Sequence, residues 1–211
     1  MTAPHNSACI LTSEMTDSTS GQATATGQRP GKRERLVAAA AQLVHQQGIE
    51  RTTLADIAAA ADVPAGNVYY YFKTKDDVIA AVIEAHAQQI GTTLAVIEAR
   101  HQSPRSRLKA FVQEFTAQSE IAAQYGCPLG TLCSELGKRV ERSSLPVAVL
   151  MRLPIEWAEK QFRSLGRPDA HDLAVDLLAA YEGSALLANT LRDPNVLSRA
   201  ARRLNEWIDS L

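Results

Sequence analysis

Hydrogen-bonding side chains are concentrated between residues 66 and 75 of this sequence. Gly66 and Asn67 precede three successive tyrosines at 69–71, and Lys73 and Lys75 follow. Phenol, amide and ammonium groups bind phosphate oxygens and base edges, and a glycine lets a backbone approach a duplex closely. This segment therefore predicts contact with DNA.

The competing interpretation is a plain helical hairpin whose tyrosines fill a core. Val68 and Phe72 are four residues apart, so on a helix they share one face and already supply the apolar contacts. The tyrosines are then left on other faces, which favours a binding role over a core role.

A second reactive group is Cys127, which precedes Pro128 at the start of a predicted helix. The helix dipole there would stabilise a thiolate and lower its pKa, so that adduct formation or oxidation could act as a switch. The alternative is a small buried residue at a tight turn, the commoner fate of a free cysteine. Cys133 lies six residues further on, so the two do not form a CxxC-type pair.

The sequence lacks the groupings that enzymes use. It has no Ser-His-Asp set, paired carboxylates, phosphate-binding glycine loop or metal-ligand spacing. The five histidines are scattered, and we expect His86 and His101 to be solvated and His5 and Cys9 not to bind metal. We therefore predict a protein that is not an enzyme and binds no cofactor or metal.

Composition favours a helical protein. Hydrophobic residues make up 45% of the 211 residues but aromatic residues only 5%, and alanine and leucine dominate. The net charge of -1 gives no general attraction to nucleic acid, although residues 29–76 carry seven Lys and Arg against five Asp and Glu. The basic residues that begin this stretch are either a solvated helix start or an arm that reaches phosphates.

Segments for targeting or membrane insertion are not recognisable. There is no run of 18 apolar residues and no secretory signal, and three cysteines do not make a disulfide framework. We expect a cytoplasmic protein without membrane contact, whose natural start could lie at Met15.

Helix signals divide the chain into three parts. Residues 1–31 lack apolar periodicity and are predicted to be disordered. Residues 32–76 are predicted to form a three-helix head: a first helix ends before Gly48, Thr53 and Asp56 form a capping box for a second, and Pro64 opens a third after a turn at Asp62. Residues 77–211 are predicted to form a larger helical body.

The body is predicted to begin with a long helix to Arg100, in which Gly91 marks a kink or a close helix contact. Further helices are expected over about 105–123, in a short segment after residues 125–130, and to about residue 165, where Pro154 should kink or divide the helix. Asp169 should cap the next helix, and a last helix follows residues 193–195. Gly183 would permit close approach of a neighbouring helix.

Aromatic and sulfur-containing side chains of the body either line a cavity or fill a core. Core packing is the commoner role for such residues. The candidate effector-binding set is Phe111, Phe115, Cys127, Met151, Trp157 and Tyr181.

The segment from Arg33 to Ile79 resembles the N-terminal domain of the TetR family of transcriptional repressors. The resemblance rests on Gly48 before Arg-Thr-Thr-Leu-Ala-Asp-Ile-Ala, on Gly66-Asn67-Val68-Tyr69-Tyr70-Tyr71-Phe72, and on Lys73-Thr74-Lys75-Asp76. It covers about a quarter of the chain. The phrase GCPLGTLCSEL is similar to a segment of the branch that includes multidrug-efflux and electrophile-responsive repressors.

The resemblance implies an all-α protein with a helix-turn-helix DNA-binding head. It departs from the family pattern at Tyr71, where many members have His, and at Pro64 and Ala65, which replace polar residues, so the operator sequence is not predicted. The implied DNA contacts are Thr52 and Thr53 on a phosphate, Ala65, Gly66, Asn67 and Tyr69 near the groove, and Tyr70, Tyr71, Lys73 and Lys75 at or near the backbone.

The resemblance also implies the partners. The last two helices would pair with their copies in a homodimer, the long helix would connect head and body, and a small, mostly apolar effector would release the protein from a palindromic double-stranded DNA operator. The alternative is a helical small-molecule-binding or thiol-reactive protein without specific DNA binding.

Overall fold

A computed structural model describes residues 30–138 and 146–211. All regular secondary structure in these residues is α-helical, which confirms the predicted fold class. The predictions for the tail before residue 30, including Cys9 and Met15, lie outside the described residues. The helices are α1 Lys32–Gln47, α2 Leu54–Ala60, α3 Ala65–Tyr71, α4 Lys75–Arg100, α5 Pro104–Thr116, α6 Ser119–Tyr125, α7 Pro128–Gly137, α8 Val149–Ser164, α9 Ala170–Leu191 and α10 Asn195–Ser210.

Local signals place the three helices of the head. Gly48 ends α1 with φ 84°, and Thr53 and Asp56 form the predicted capping box of α2. Asp62 occupies the turn with φ 51°, a left-handed conformation that Asp tolerates better than most residues. Pro64 precedes α3 as its N-cap rather than opening it, one residue from the predicted position.

The core of the head forms as its apolar spacing predicts. Val68 and Phe72 are buried, together with Leu36 from α1 and Ile57 from α2. Burial of these four side chains fixes α3 against the other two helices, because apolar surface removed from water stabilises the packed arrangement. The tyrosines of α3 are therefore held on the opposite side.

The single helix predicted over 105–123 is wrong, since α5 ends at Thr116 and α6 begins at Ser119. Hydrogen bonds from distant residues hold α6 in place. The Asn189 side-chain amide donates to the Ala123 carbonyl at 3.2 Å, and Arg192 donates to the same carbonyl at 3.3 Å. Both partners are about 70 residues away in the chain, so local periodicity carries no signal for this break.

Pro154 does not divide α8, and α4 is continuous through Gly91. Helix α8 runs unbroken across Pro154, which lies in its second turn, where only the Leu150 carbonyl loses its usual helical partner. Gly91 lies inside the continuous α4, and a Cβ added at this position would meet no atom within 4 Å. The close helix contacts expected at Gly91 and Gly183 are absent within the described residues.

Asp169 stands at the N-cap of α9 but does not cap it with its side chain. Its carboxylate instead accepts two hydrogen bonds from the Arg167 guanidinium, at 3.0 and 2.9 Å. A bidentate pair with a guanidinium is a stronger contact for a carboxylate than a single backbone amide, which explains the correction.

Among the described residues, two hydrogen bonds join the head to the body, and a third holds the start of α4 against the turn after α1. The Ile49 amide donates to the Glu135 carboxylate of α7 at 2.7 Å, and Lys75 Nζ at the start of α4 donates to the Ile49 carbonyl at 2.9 Å. His45 Nε2, near the end of α1, donates to the Gly126 carbonyl at 2.9 Å. The turn between α1 and α2 is therefore held from both α4 and the α6–α7 region. Within the described residues, no helix has the length and apolarity needed to cross a membrane.

Replacement of Gly48 by Ala should lower the free energy of unfolding by about 1–3 kcal/mol, because φ 84° with ψ 164° is a conformation that only glycine adopts readily. A Cβ there would also lie 3.1 Å from Glu135 Oε1. Chemical denaturation measures the change. The matched control is Gly137→Ala at the end of α7, where a Cβ meets nothing within 4 Å and helix propensity improves. Equal stability of the two variants would contradict this account.

Candidate nucleic-acid interface and effector cavity

The outward face of α3 carries the predicted DNA-binding tyrosines. Tyr70 is 79% exposed and Tyr69 57% exposed, which is unusual for large aromatic side chains. Gly66 lies on the same surface, where a Cβ in place of its hydrogen would have no chain atom within 4 Å, and Ala65 is also exposed. This surface is open to close approach by another molecule.

Asn67 and Tyr71 lie at the edges of that face. Both are half-buried. Tyr71 packs against the core of the head and meets Tyr70 edge to face, with ring centroids 5.0 Å apart. The core contact fixes Tyr71, and Tyr71 in turn limits the positions of the Tyr70 ring.

The two lysines after α3 have different surroundings. Lys73 is exposed, and its Nζ donates to the Tyr69 carbonyl at 2.6 Å, near the end of α3. Lys75 is half-buried, and its ammonium already bridges to the turn after α1. Lys73 is consequently the more available positive charge for an external partner.

The structure corrects the role expected for the Thr52 hydroxyl. Thr52 is 0% exposed, and its hydroxyl donates to the Gly48 carbonyl at 2.8 Å, so it fixes the turn and cannot reach a phosphate. Thr53 is exposed at the N-terminus of α2 and is engaged with Asp56. Hydrogen bonds from Thr53 hold the pKa of Asp56 below its usual range.

The sequence did not predict that basic residues of α1 make contacts within the head. Arg35 Nη1 donates to the carbonyls of Ala61 and Asp62 at 3.0 and 3.3 Å, which satisfies the C-terminus of α2. The Arg33 guanidinium lies over the Phe72 ring, 5.5 Å from its centroid. These contacts stabilise the head itself, which neither the solvated-start nor the phosphate-arm interpretation anticipated.

A cavity of about 90 Å³ lies in the body between α4, α5, α7 and α9. Three of the predicted effector-binding residues line it: Phe115, Cys127 and Tyr181. The α4 helix contributes a wall that the sequence did not predict, including His86 and Ile90. The cavity therefore touches both the helix that enters the head and the start of α7.

The other three candidates do not line this cavity. Trp157 stacks on Phe111, with ring centroids 5.5 Å apart, and its Nε1 donates to Glu98 Oε1 at 2.8 Å. Met151 is half-buried against the core. For Phe111, Met151 and Trp157 the packing therefore favours the core-packing alternative over contact with an effector in this cavity.

His86 was expected to be solvated, and that expectation is wrong. It follows Val82 by four residues and precedes Ile90 by four, so the apolar spacing already placed it on the inward face of α4. Burial, together with the nearby His45, lowers the pKa of His86 to about 4. The imidazole is consequently neutral at neutral pH.

Cys127 occupies the predicted position at the N-terminus of α7, but the expected fall in its pKa is wrong. Its thiol donates to Glu182 Oε1 at 3.2 Å and accepts from the Gly130 amide at 3.4 Å. Burial and the negative charge of Glu182 raise the pKa of Cys127 to about 12, which outweighs the backbone donor. Burial also raises the pKa of Cys133 to about 11.

Known proteins resemble this chain over most of its length. The family model "Bacterial regulatory proteins, tetR family" matches residues 36–82, from α1 into α4. An uncharacterized HTH-type transcriptional regulator of Lactococcus lactis subsp. lactis is 30% identical over 170 residues, which cover 78% of this chain and 87% of that protein. The HTH-type transcriptional regulator BetI of Paraburkholderia phymatum is 28% identical over 88% of this chain and 95% of its own length.

Solved structures share the same architecture. A TetR transcriptional regulator from Chloroflexus aurantiacus superimposes with a TM-score of 0.74 at 27% identity, covering 84% of this chain and 94% of that one. A TetR transcriptional regulator from Legionella pneumophila gives 0.73 at 22% identity, covering 84% and 97%, and supports the fold alone.

Alkylation of Cys127 should be at least about 100-fold slower in the native protein than after unfolding in urea, because a raised pKa leaves almost no thiolate at neutral pH. Iodoacetamide labelling at pH 7.5, followed by mass spectrometry of the Cys127 peptide, measures both rates. N-acetylcysteine serves as the exposed-thiol reference. A native rate close to that reference would restore the thiol-switch hypothesis.

Proposed function

The chain belongs to the TetR family of bacterial regulatory proteins and is a DNA-binding transcriptional regulator, and we propose that it is a repressor that a small, mostly apolar effector releases from a palindromic operator. The observation that carries the DNA contact is the pair of highly exposed tyrosines on α3. The alternative, a helical carrier without DNA binding, gives no reason for these side chains to lie in solvent.

The proposed reading surface is α3 and the turn that follows it. Placed in the major groove, its N-terminal residues would lie nearest the base edges, because a recognition helix enters the groove by that end. We assign Ala65, Gly66, Asn67 and Tyr69 to the groove, and Thr53, Tyr70, Tyr71 and Lys73 to the phosphates.

Lys75 is proposed to act mainly by positioning the turn after α1. Its ammonium holds the turn after α1, and a phosphate near the same turn would share that charge. In the proposed division, residues 32–76 bind DNA and residues 77–211 bind the effector and the second subunit.

The proposed dimer interface is the outer face of α9 and α10. Leu186 is 66% exposed, Leu187 53% and Leu191 63%, and the first two line a shallow groove together with Ala200 and Leu204 of α10. Exposed apolar surface of this kind is typical of association sites, which supports the proposed interface. Pairing with its own copy would form a two-fold interface and set the distance between the two heads.

The proposed release mechanism starts from the cavity. An effector there would contact α4 through His86 and the start of α7 through Cys127. Both elements hold the turn after α1, through Lys75 and Glu135 respectively. An effector that binds one arrangement of these helices more tightly than another would shift the spacing of the heads, by no more than that difference in affinity.

Binding to DNA from the region around its own gene should be tight, steep in salt and dependent on a palindrome. Tyr70→Ala and Lys73→Ala should each weaken it by about tenfold or more, since each removes a proposed phosphate contact. Lys73→Ala should also reduce the salt slope, by roughly one for each lysine lost. Fluorescence anisotropy at several salt concentrations measures both quantities.

Lys160→Ala is the matched control, because Lys160 is an exposed lysine on α8, outside the proposed interface. It should change affinity by less than about twofold, as expected for a surface charge beyond the screening length of DNA. Equal losses in Lys73→Ala and Lys160→Ala would argue against the assigned surface.

Leu187→Glu should dissociate the proposed dimer, because it puts a charge into an apolar interface. Sedimentation velocity would then show a monomer, and DNA affinity would fall because the two heads would no longer act together. Val96→Glu is the control, since Val96 is an exposed apolar residue of α4 and does not line the α9–α10 groove. A dimer that survives Leu187→Glu would place the interface elsewhere.

A further inference from the structure

We propose that the effector of the α4–α5–α7–α9 cavity is a small organic cation, with an ammonium group surrounded by apolar carbon. The inference rests on the proposed function, because it assumes that this cavity is the effector site. It rests on two aromatic rings of the cavity wall, on two nearby carboxyl groups, and on the absence of lysine and arginine among the described lining residues.

Two aromatic rings form a corner of the cavity wall. Phe115 and Tyr181 meet at 86° with centroids 5.4 Å apart. Both side chains line the cavity, and an ammonium group is attracted to the negative face of an aromatic ring. Methyl or methylene groups on the nitrogen also gain apolar contact there, so an alkylated ammonium suits this corner better than a hydrated metal ion.

The charges at the cavity also favour a cation. Among the described residues that line it, none is a lysine or an arginine, whereas Glu114 is a carboxylate. His86 contributes no positive charge, since its lowered pKa leaves the half-buried imidazole neutral at neutral pH. An anionic effector would lose its hydration without gaining a counter-charge, which is costly in a confined site.

A second carboxyl group lies directly behind the wall. Glu182 contacts the sulfur of Cys127, and Cys127 lines the cavity. Gly130 makes room for this carboxyl group, because a side chain at position 130 would collide with it. The chain thus accommodates Glu182 at this place through a specific glycine.

Glu182 lacks a basic partner within the described part of the chain. Its only hydrogen bond there comes from the Cys127 thiol, and the titratable groups that interact with it are Cys127 and Cys133 of α7 and Tyr181 of α9. None of these is positively charged, and burial raises the pKa of Glu182. A bound ammonium would supply a positive charge to Glu182 from the other side of the Cys127 thiol.

The volume limits what can enter. A cavity of about 90 Å³ suits an ammonium head group with its substituents, and the rest of the effector would extend towards Glu114, which is exposed. Phenyltrimethylammonium is a suitable probe, because tert-butylbenzene has the same shape without the charge and benzoate carries the opposite charge.

Isothermal titration of the full-length protein with these three probes tests the proposal. Phenyltrimethylammonium should bind more tightly than tert-butylbenzene, and benzoate should bind least. Glu182→Gln should weaken the cation by roughly tenfold and leave tert-butylbenzene unchanged, since tenfold is the scale of one good electrostatic contact. Glu156→Gln removes an exposed carboxylate on α8, outside the cavity, and should change neither.

Phe115→Leu keeps the test decisive if Glu182→Gln does not fold. It retains apolar volume but removes one ring, so it should weaken phenyltrimethylammonium severalfold more than tert-butylbenzene. Tighter binding of tert-butylbenzene or benzoate by the unmodified protein would overturn the cation proposal. Unchanged affinity for phenyltrimethylammonium in folded Glu182→Gln and Phe115→Leu would overturn it as well.

Release of the protein from its upstream DNA separates this proposal from the proposed function. Glu182-dependent binding of the cation without DNA release would support the cation site and contradict effector-controlled release. Release by tert-butylbenzene, with no binding of the cation, would overturn the cation class and leave effector-controlled release standing.

Discussion

The hydrogen bond from the Ile49 amide to the Glu135 carboxylate is the contact on which the relation between head and body depends. At 2.7 Å it is a short, charge-assisted bond, and it is partly buried. Gly48 must stay small beside that carboxylate, and Thr52 closes the same turn from inside by donating to the Gly48 carbonyl. The orientation of α2 and α3 follows from this turn, so a carboxylate of the body helps to position α3, the proposed DNA-reading helix.

One further bond reaches the same turn, and another joins the last turn of α1 to the body. Lys75 at the start of α4 donates to the Ile49 carbonyl, and His45 donates to the Gly126 carbonyl just before Cys127. The walls of the cavity belong to these same helices. The cavity is therefore connected to α3, the proposed DNA-reading helix, by a few short polar contacts and by the continuous helix α4.

Features set by neighbouring residues could be predicted from the sequence, and features set by distant residues could not. Gly48, the Thr53–Asp56 capping box and the α3 core face follow from local spacing, as does the all-α fold. The break before α6, the burial of Thr52 and the raised pKa of Cys127 depend on partners that tertiary structure alone brings near. Cys127 shows the reason most clearly, since its helix N-terminus is visible in the sequence but Glu182, 55 residues away, is not. The DNA contacts themselves remain predictions.

The two tryptophans of the chain lie in different parts of the body, which has a spectroscopic consequence. Trp157 stacks on Phe111, and Phe111 in turn contacts Phe115 in the cavity wall, with centroids 4.3 Å apart. Trp207 belongs to α10, the helix that also borders the α9–α10 groove, and it packs near Phe162 of α8. Indole emission responds to polarity and packing around the ring. The unlabelled protein thus carries one intrinsic fluorophore next to its cavity and another on a helix of the proposed subunit interface, and single Trp→Phe variants would resolve the two signals.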